Sequence, residues 1–221
     1  MSGRDFLLYG TSQIEPEARL LRAGPLSAEF INGNLRTLSY EGVEVLRAIS
    51  YLVRDKDWGT YAPRLSKLNF VESGENFEVS FDAICEGPDE SALALRASIT
   101  GGPNRLIFDV AAVPSADFAV NRCGFCVLHP IAGLAGSPAA VEHVSGEIIE
   151  ATFPDLIDPW QPFKNMRAIT HQVMEGVAAE CRMEGDAFEM EDQRNWSDAS
   201  YKTYVRPLEL PWPYVLKGGV E

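Results

Sequence analysis

The sequence predicts an all-β protein, an antiparallel β-sandwich with few or short helices. Apolar and polar residues alternate most clearly over residues 77–83, 93–99 and 106–110. A period of two is typical of strands that bury one face. Turn-forming sequences rich in Gly, Pro and Asn separate these stretches, and no segment between residues 26 and 130 shows a capped stripe with the helical period. The strands are therefore expected to pair in antiparallel sheets.

Taken in order, the chain starts with a lead-in segment over residues 1–16 that shows no clear period. Asn32-Gly33-Asn34 is a strong hairpin turn between two strand-like stretches. A charged loop at residues 54–59 follows a strand that is long enough to be curved or bulged. The predicted strands of the first half cover residues 19–23, 26–31, 35–40, 43–53, 77–83, 93–99 and 106–110.

Residues 131–165 are rich in Gly, Pro and Ala and are predicted to be a long ordered loop region that crosses one face of the sheet. Three prolines within residues 154–162 oppose regular strand pairing there. The best helical candidate, residues 138–143, lies in the same region. Strands are predicted to resume at residues 166–171 and 177–183. No repeat or linker divides the chain, so residues 1–221 are predicted to form a single domain.

Net charge and hydropathy argue against nucleic acid and membranes as binding partners. The 221 residues carry a net charge of −13, from 19 basic and 32 acidic residues. This excess disfavours binding to nucleic acid and to anionic membranes, since both would be repelled. No apolar run approaches the roughly 20 residues of a membrane helix, and the N-terminus lacks the core of a signal peptide. A cytoplasmic location is therefore predicted.

Cysteine and histidine patterns do not predict a metal centre or a cofactor. Cys123 and Cys126 have the C-x-x-C spacing, but residues three apart in a strand point to opposite faces and cannot share a metal ion. No second pair completes a site. The three histidines are scattered, and H-E-x-x-H and related signatures are absent. The prediction is therefore no metal and no cofactor.

Residues 186–204 carry the densest set of reactive side chains. They are predicted to form a hairpin whose first strand leaves the core for a rim, with its tip near residues 196–200. On that strand Glu189 and Glu191 would share a face. Clustered carboxylates can divide acid and base roles, while Arg194 and Lys202 can equally make this a salt-linked hairpin. Spacing alone leaves both interpretations open, although the mixture of aromatic, amide and charged groups suits a carbohydrate.

Three segments carry a resemblance to a known family: GFCVLHP at residues 124–130, Phe153-Pro154 with Gln161-Pro162-Phe163, and FEMEDQRNWSDASYKTY at residues 188–204. They resemble the N-terminal region of the D-apionate lactonase family. This resemblance implies a galactose-mutarotase-like supersandwich and a role in apiose catabolism, in which a sugar-acid lactone is opened. Family members continue into a barrel domain, so the resemblance also implies a missing barrel domain or a partner chain.

Opening a lactone requires a base that deprotonates water and donors that stabilise the developing oxyanion. On the resemblance, His129 or Glu191 is the predicted base, and Arg194 with Lys202 gives electrophilic support. The predicted substrate-binding residues, which would orient the sugar, are Asp192, Asn195, Trp196, Asp198 and Tyr201.

Two other functions remain open at this point. An aldose epimerase of the mutarotase kind, built on the same sandwich, would use a similar pair of histidine and carboxylate. A non-catalytic carbohydrate-binding module would use the aromatic and polar groups without turnover. In each case the predicted ligand is a small-molecule sugar or sugar-acid lactone.

Overall fold

The computed structural model describes residues 16–221 and, before them, residues 4, 6, 7 and 10. Most of the predicted lead-in over residues 1–16 therefore lies outside the described residues. The described part forms seventeen strands and one short 3-10 helix. The prediction of an all-β fold is confirmed. None of its helical segments has the length and apolar character needed to cross a membrane.

The strands run through the whole described part of the chain. Those of the first half are β1 (Arg19–Ala23), β2 (Leu26–Ile31), β3 (Asn34–Tyr40), β4 (Val43–Arg54), β5 (Arg64–Ser73), β6 (Asn76–Glu86), β7 (Ala92–Gly102) and β8 (Arg105–Pro114). Those of the second half are β9 (Phe118–Val120), β10 (Arg122–Pro130), β11 (Pro138–His143), β12 (Ile148–Thr152), β13 (Phe163–Met174), β14 (Val177–Arg182), β15 (Phe188–Asp192), β16 (Ser200–Tyr204) and β17 (Tyr214–Leu216). The 3-10 helix is Gln193–Trp196.

The strands form one large antiparallel sheet and two smaller ones. The large sheet has eleven strands in the order β1-β2-β3-β4-β10-β16-β15-β13-β11-β12, and β14 pairs with β13 off this path. A four-stranded sheet has the order β5-β6-β7-β8, and β17 pairs with β9. Strand β16 joins the two halves of the large sheet, because it pairs with β10 on one side and with β15 on the other.

The first half of the large sheet packs face to face against the four-stranded sheet. Alternate residues of β6 and β7 are buried between the two layers, as the period-two pattern predicts. Phe30 of the large sheet meets Phe70 and Phe81 of the small sheet with ring centroids 5.3 and 5.9 Å apart. This layer forms the first hydrophobic core, and the prediction of a sandwich is confirmed.

The second half of the large sheet buries a separate hydrophobic core of its own. Phe153 has no exposed surface. Its ring centroid lies 5.2 Å from that of Tyr201 and 5.7 Å from that of Phe163. Phe153, in the segment that follows β12, is thus part of the second core. Through Tyr201 it packs against the hairpin formed by β15 and β16.

Two predictions for residues 131–165 are wrong. The region contains strands β11 and β12, and the proposed helix at residues 138–143 is strand β11. A helix of six residues is marginal in water because nucleation is costly. As a strand, the same residues pair with β12 on one side and β13 on the other, and Ala139 and Val141 are buried on alternate positions. The proline-rich part after β12 has no regular strand, as expected.

Candidate functional site

The hairpin of β15 and β16 carries most of the predicted site. The first strand ends at Asp192, earlier than predicted, because the Asp192 carboxylate caps the 3-10 helix by accepting a hydrogen bond of 3.1 Å from the backbone N–H of Arg194. Ser197 then adopts a left-handed conformation with φ of 65° and ends the helix. Arg194 and Trp196 therefore lie in the 3-10 helix and do not continue the first strand of the hairpin.

Cross-strand register divides the hairpin into two chemically different faces. Asp192 lies opposite Tyr201, and Glu191 lies opposite Lys202. Because successive side chains alternate, Asp192 and Tyr201 point towards the second core. The opposite face, called the polar face below, carries Glu189, Glu191, Lys202 and Tyr204.

Asp192, Arg194, Asn195 and Tyr201 form what we call the anchor cluster. Arg194 is the centre of this cluster. Its Nε and one terminal nitrogen donate to the Asp192 carboxylate at 3.0 and 2.7 Å. Its other donors reach the backbone oxygens of Pro154, Asp155 and Leu156 at 3.0, 2.8 and 3.2 Å. The planar guanidinium group thereby links the Asp192 carboxylate to the proline-rich segment.

The other members of the anchor cluster contact the same segment. Asn195 donates from Nδ2 to the backbone oxygen of Asp158 at 2.6 Å. The hydroxyl of Tyr201 donates to the backbone oxygen of Pro154, and the backbone N–H of Asp158 donates to Asp192 at 3.0 Å. These contacts hold the proline-rich segment against the hairpin. They also supply hydrogen-bond partners for backbone groups of the segment, which forms no regular strand.

Asp192 ionises in spite of complete burial of its side chain. Burial by itself raises the pKa of this carboxyl, but the hydrogen bonds from Arg194 and from the backbone of Asp158 outweigh it, and the pKa of Asp192 is lowered. The same pairing raises the pKa of Arg194. The pair is therefore a charged structural link at neutral pH.

Glu191, Lys202 and Trp196 form a second group, the rim cluster, at the end of the polar face. Lys202 Nζ lies 2.9 Å from Glu191 Oε2, and the Trp196 indole N–H donates to Glu191 Oε1 at 2.9 Å. The side chains of Lys202 and Glu191 are 21% and 20% exposed. Trp196 is 72% exposed, so a large aromatic surface stands beside an accessible ion pair.

The polar face becomes buried away from the rim cluster. The Tyr204 hydroxyl donates to Glu189 Oε1 at 2.6 Å, and the backbone N–H of Leu208 donates to the same oxygen at 2.8 Å. Burial and the hydrogen bond to Glu189 raise the pKa of Tyr204. The Arg122 guanidinium lies 3.8 Å from the centroid of the Tyr204 ring, which continues the polar face across β10.

Sequence reasoning missed Arg122 and the buried role of Glu189. Arg122 begins β10, four residues before Cys126, and Cys126 is paired with Tyr204. The period of two along β10 puts Arg122 on the same strand face as Cys126, but only the pairing of Cys126 with Tyr204 brings that face next to Tyr204.

His129 lies in the interior, apart from the rim cluster. It has no exposed surface, its Nε2 is 3.0 Å from Thr203 Oγ1, and its Nδ1 has no hydrogen-bond partner within the described part of the chain. Burial lowers the pKa of His129 to about 3, and His171 nearby acts in the same direction. The ring is therefore neutral at pH 7.

The structure brings the predicted site residues into two groups and leaves two apart. The anchor cluster holds four of them, the rim cluster holds three, and His129 and Asp198 belong to neither. Asp198 is exposed at the hairpin tip, where its backbone N–H donates to Gln193 at 3.1 Å. Within the described residues, no group of three His, Cys, Asp or Glu side chains is arranged to hold a metal ion.

Comparison with known proteins gives two findings. The family described as D-apionate lactonase, N-terminal domain, matches residues 6–221. A D-apionate lactonase of Brucella anthropi is 60% identical to the chain over 215 residues, which cover 96% of the chain and 35% of that protein. The chain thus spans about a third of the length of this curated relative.

Proposed function

Because the chain belongs to the D-apionate lactonase N-terminal domain family, we propose that it is the sugar-binding domain of a lactonase that opens a sugar-acid lactone in apiose catabolism. The observation that carries the proposal is the rim cluster, in which the exposed Trp196 ring stands beside the Glu191–Lys202 ion pair. Such a group combines an apolar platform with accessible hydrogen-bonding groups, which is the mixture found in small-molecule sites.

Each member of the rim cluster has a distinct part in binding. The Trp196 ring packs against the C–H surface of the sugar. Glu191 accepts hydrogen bonds from sugar hydroxyls, and Lys202 donates to hydroxyl or carbonyl oxygen. The ion pair already orients both charged groups, so less side-chain entropy is lost when the sugar binds.

Binding is favoured over turnover by the chain alone. In the reaction, water adds to the lactone carbonyl carbon, the bond from that carbon to the ring oxygen breaks, and the ring oxygen gains a proton. A base for water needs a free acceptor. Both oxygens of Glu191 are engaged, one by Lys202 and the other by Trp196. Each oxygen keeps a lone pair that can accept from a sugar hydroxyl, but a proton taken from water would neutralise the carboxylate and remove its ion pair with Lys202, the cation that would face the oxyanion.

The other predicted catalytic residues have fewer routes to a substrate. Arg194 donates hydrogen bonds to Asp192 and to backbone oxygens, and His129 has no exposed surface. No observation favours a sugar epimerase, which was expected to use a similar pair of histidine and carboxylate. The proposal places the protein in the cytoplasm, where its small-molecule sugar ligand is consumed.

The test is a titration of the purified chain with the lactone of D-apionate, followed by ligand-observed NMR with the spontaneous hydrolysis rate subtracted. We expect saturable binding without accelerated ring opening. Trp196→Ala should weaken binding at least fivefold, because it removes the aromatic platform.

The matched control is Glu72→Gln, which breaks the exposed ion pair with Arg19, of 2.8 Å, on a distant sheet edge and should leave binding unchanged. Absence of binding by the wild-type chain contradicts the proposal. Ring opening that Glu191→Gln abolishes would instead make the chain a hydrolase in its own right.

A further inference from the structure

Arg122 is a buried cation that forms no ion pair within the described residues. It is 6% exposed, and its guanidinium carbon lies 3.8 Å from the centroid of the Tyr204 ring and 5.6 Å from that of Trp58. Its Nε has no hydrogen-bond partner within the described residues. An arginine held in this way keeps its positive charge but loses most of its hydration.

The other arginines that stack on aromatic rings show what is missing. Within the described part of the chain, Arg19, Arg194 and Arg206 also stack on rings. Each of these three has a carboxylate within 4 Å: Glu72 at 2.8 Å, Asp192 at 2.7 Å and Asp186 at 3.7 Å, respectively. Arg122, the most deeply buried of the four, has no such carboxylate among the described residues.

Arg54 adds a second unpaired cation at the same place. Strand register puts Arg54 directly opposite Arg122. Arg54 donates to the backbone oxygen of Trp58 at 3.2 Å, but its Nε is buried without a partner and no carboxylate lies within ion-pair distance in the described residues. Two like charges on neighbouring strands repel each other, and this repulsion costs free energy.

The electrostatics of Arg122 agree with this geometry. Burial is the main cause that lowers its pKa, and the positive charge of Arg54 acts in the same direction, while Tyr204, Cys126 and Glu191 oppose them only in part. An anion between the two guanidinium groups would reverse both effects, since it would supply hydrogen-bond acceptors and opposite charge. Guanidinium forks match the two oxygens of a carboxylate in a bidentate geometry.

We infer that Arg122 and Arg54 form a carboxylate-binding subsite, and that its ligand is the carboxylate of the opened sugar acid. The inference rests on the proposed function for the identity of the sugar. It assigns to the chain a preference that the rim cluster alone does not give, because the lactone is neutral whereas the hydrolysed product is an anion.

The subsite is continuous with the rim cluster. Lys202 and Tyr204 lie two residues apart on β16, about 7 Å along the strand. Lys202 Nζ is 5.1 Å from the Tyr204 ring centroid, and Arg122 contacts the same ring. An opened, extended sugar acid can therefore place hydroxyls at Glu191 and its carboxylate at Arg122.

The test compares two ligands of similar shape and different charge: sodium D-apionate and the neutral polyol obtained by reducing it. Isothermal titration at constant ionic strength is the measurement. We expect the wild-type chain to bind the anion at least tenfold more tightly than the polyol. Arg122→Met should remove this preference and leave the affinity for the polyol within twofold of wild type.

The control is Arg206→Met, which removes an arginine that stacks on Tyr214 but has its own carboxylate partner, and which should keep the preference for the anion. Folding is checked by thermal melts: D-apionate should raise the melting temperature of the wild type and of Arg206→Met, but not that of Arg122→Met. Arg122→Lys keeps the charge without the fork and should lie between the wild type and Arg122→Met.

The outcomes separate the inference from the proposed function. Equal affinity for acid and polyol, or an unchanged preference in Arg122→Met, overturns the carboxylate subsite while lactone binding at Trp196 can still hold. Anion binding that depends on Arg122 but is insensitive to Trp196→Ala keeps the subsite and overturns the rim site. Absence of anion binding by the wild type overturns the subsite.

Discussion

The two faces of the β15–β16 hairpin use the same kinds of side chain for opposite purposes. On the inner side, the carboxylate of Asp192 is fully buried, and Arg194 donates hydrogen bonds to backbone oxygens of the proline-rich segment. On the polar face, Glu191 and Lys202 are paired but remain accessible beside Trp196. Adjacent residues in sequence thus have unrelated tasks, since alternation sends them to different environments. Inner-face changes should affect stability, and polar-face changes should affect ligand binding.

The largest expected effect is on stability, from Arg194→Met. The substitution leaves the buried Asp192 carboxylate without its cation and releases residues 154–156. Removing one partner of a buried pair typically costs about 3–5 kcal/mol. Urea unfolding monitored by circular dichroism measures it. Arg182→Met, which breaks exposed ion pairs with Glu142 and Glu180, is the control and should cost about 1 kcal/mol or less. Similar losses in the two variants would contradict the anchoring role.

The second effect is a pH dependence that also belongs to the inner face. The folded pKa of His129 is depressed to about 3, so between its unfolded value near 6.5 and about 3 the unfolded state binds the extra proton. The free energy of unfolding therefore falls as pH falls through this window, by up to about 1.4 kcal/mol per pH unit for one such group. His171, whose pKa burial also lowers, contributes in the same direction.

The measurement is urea unfolding between pH 4 and 8 for the wild type and for His129→Gln, whose amide can still bond Thr203. The variant should show a shallower slope below about pH 6. His143→Gln, a change on strand β11 outside the second core, should keep the wild-type slope. An unchanged slope in His129→Gln would show that other groups cause the acid sensitivity. Asp192 acts in a lower window, because its depressed pKa means that stability is lost below about pH 4.

The third effect is on binding. Lys202→Met removes the cation of the rim cluster and leaves the Glu191 carboxylate partly exposed. We expect affinity for the lactone to fall about tenfold, equivalent to about 1.4 kcal/mol, with less than about 1 kcal/mol lost in stability. Lys217→Met, which breaks the exposed pair with Asp117 at 2.8 Å, is the control. A loss of stability comparable with that of Arg194→Met would erase the distinction between the faces.

The sequence predicted the strands well where one face of the strand is buried and the other is exposed to solvent. Strands β6 and β7 alternate cleanly because they lie in a two-layer sandwich. It failed at β11, where burial depends on two partner strands that are distant in sequence and local composition resembles a loop. Strand β5 was missed as well, since most of its residues are exposed and leave little hydrophobic signal.

The sequence predicted which residues carry the candidate site, but not how their side chains are arranged. Residues 186–204 do form the predicted hairpin, yet composition could not show that Arg194 would turn inwards to bind residues 154–156, because those contacts are made to backbone oxygens. Arg122 was missed for the converse reason: its environment is defined by Tyr204, some eighty residues away in the chain. Long-range pairing, not local pattern, decides which polar groups stay available.

The smallest effect is expected at Asp198, which lies at the hairpin tip and belongs to neither the anchor cluster nor the rim cluster. Its side chain is exposed at the hairpin tip and makes no hydrogen bond or ion pair within the described residues. Asp198→Ala should therefore change stability by less than about 0.5 kcal/mol and lactone affinity by less than twofold, as measured by the same unfolding and NMR titrations. Glu175→Ala, an exposed change in the turn between β13 and β14, sets the baseline. A clear loss of affinity in Asp198→Ala would extend the binding surface beyond the rim cluster to the tip, because a residue without internal partners can matter only through the ligand.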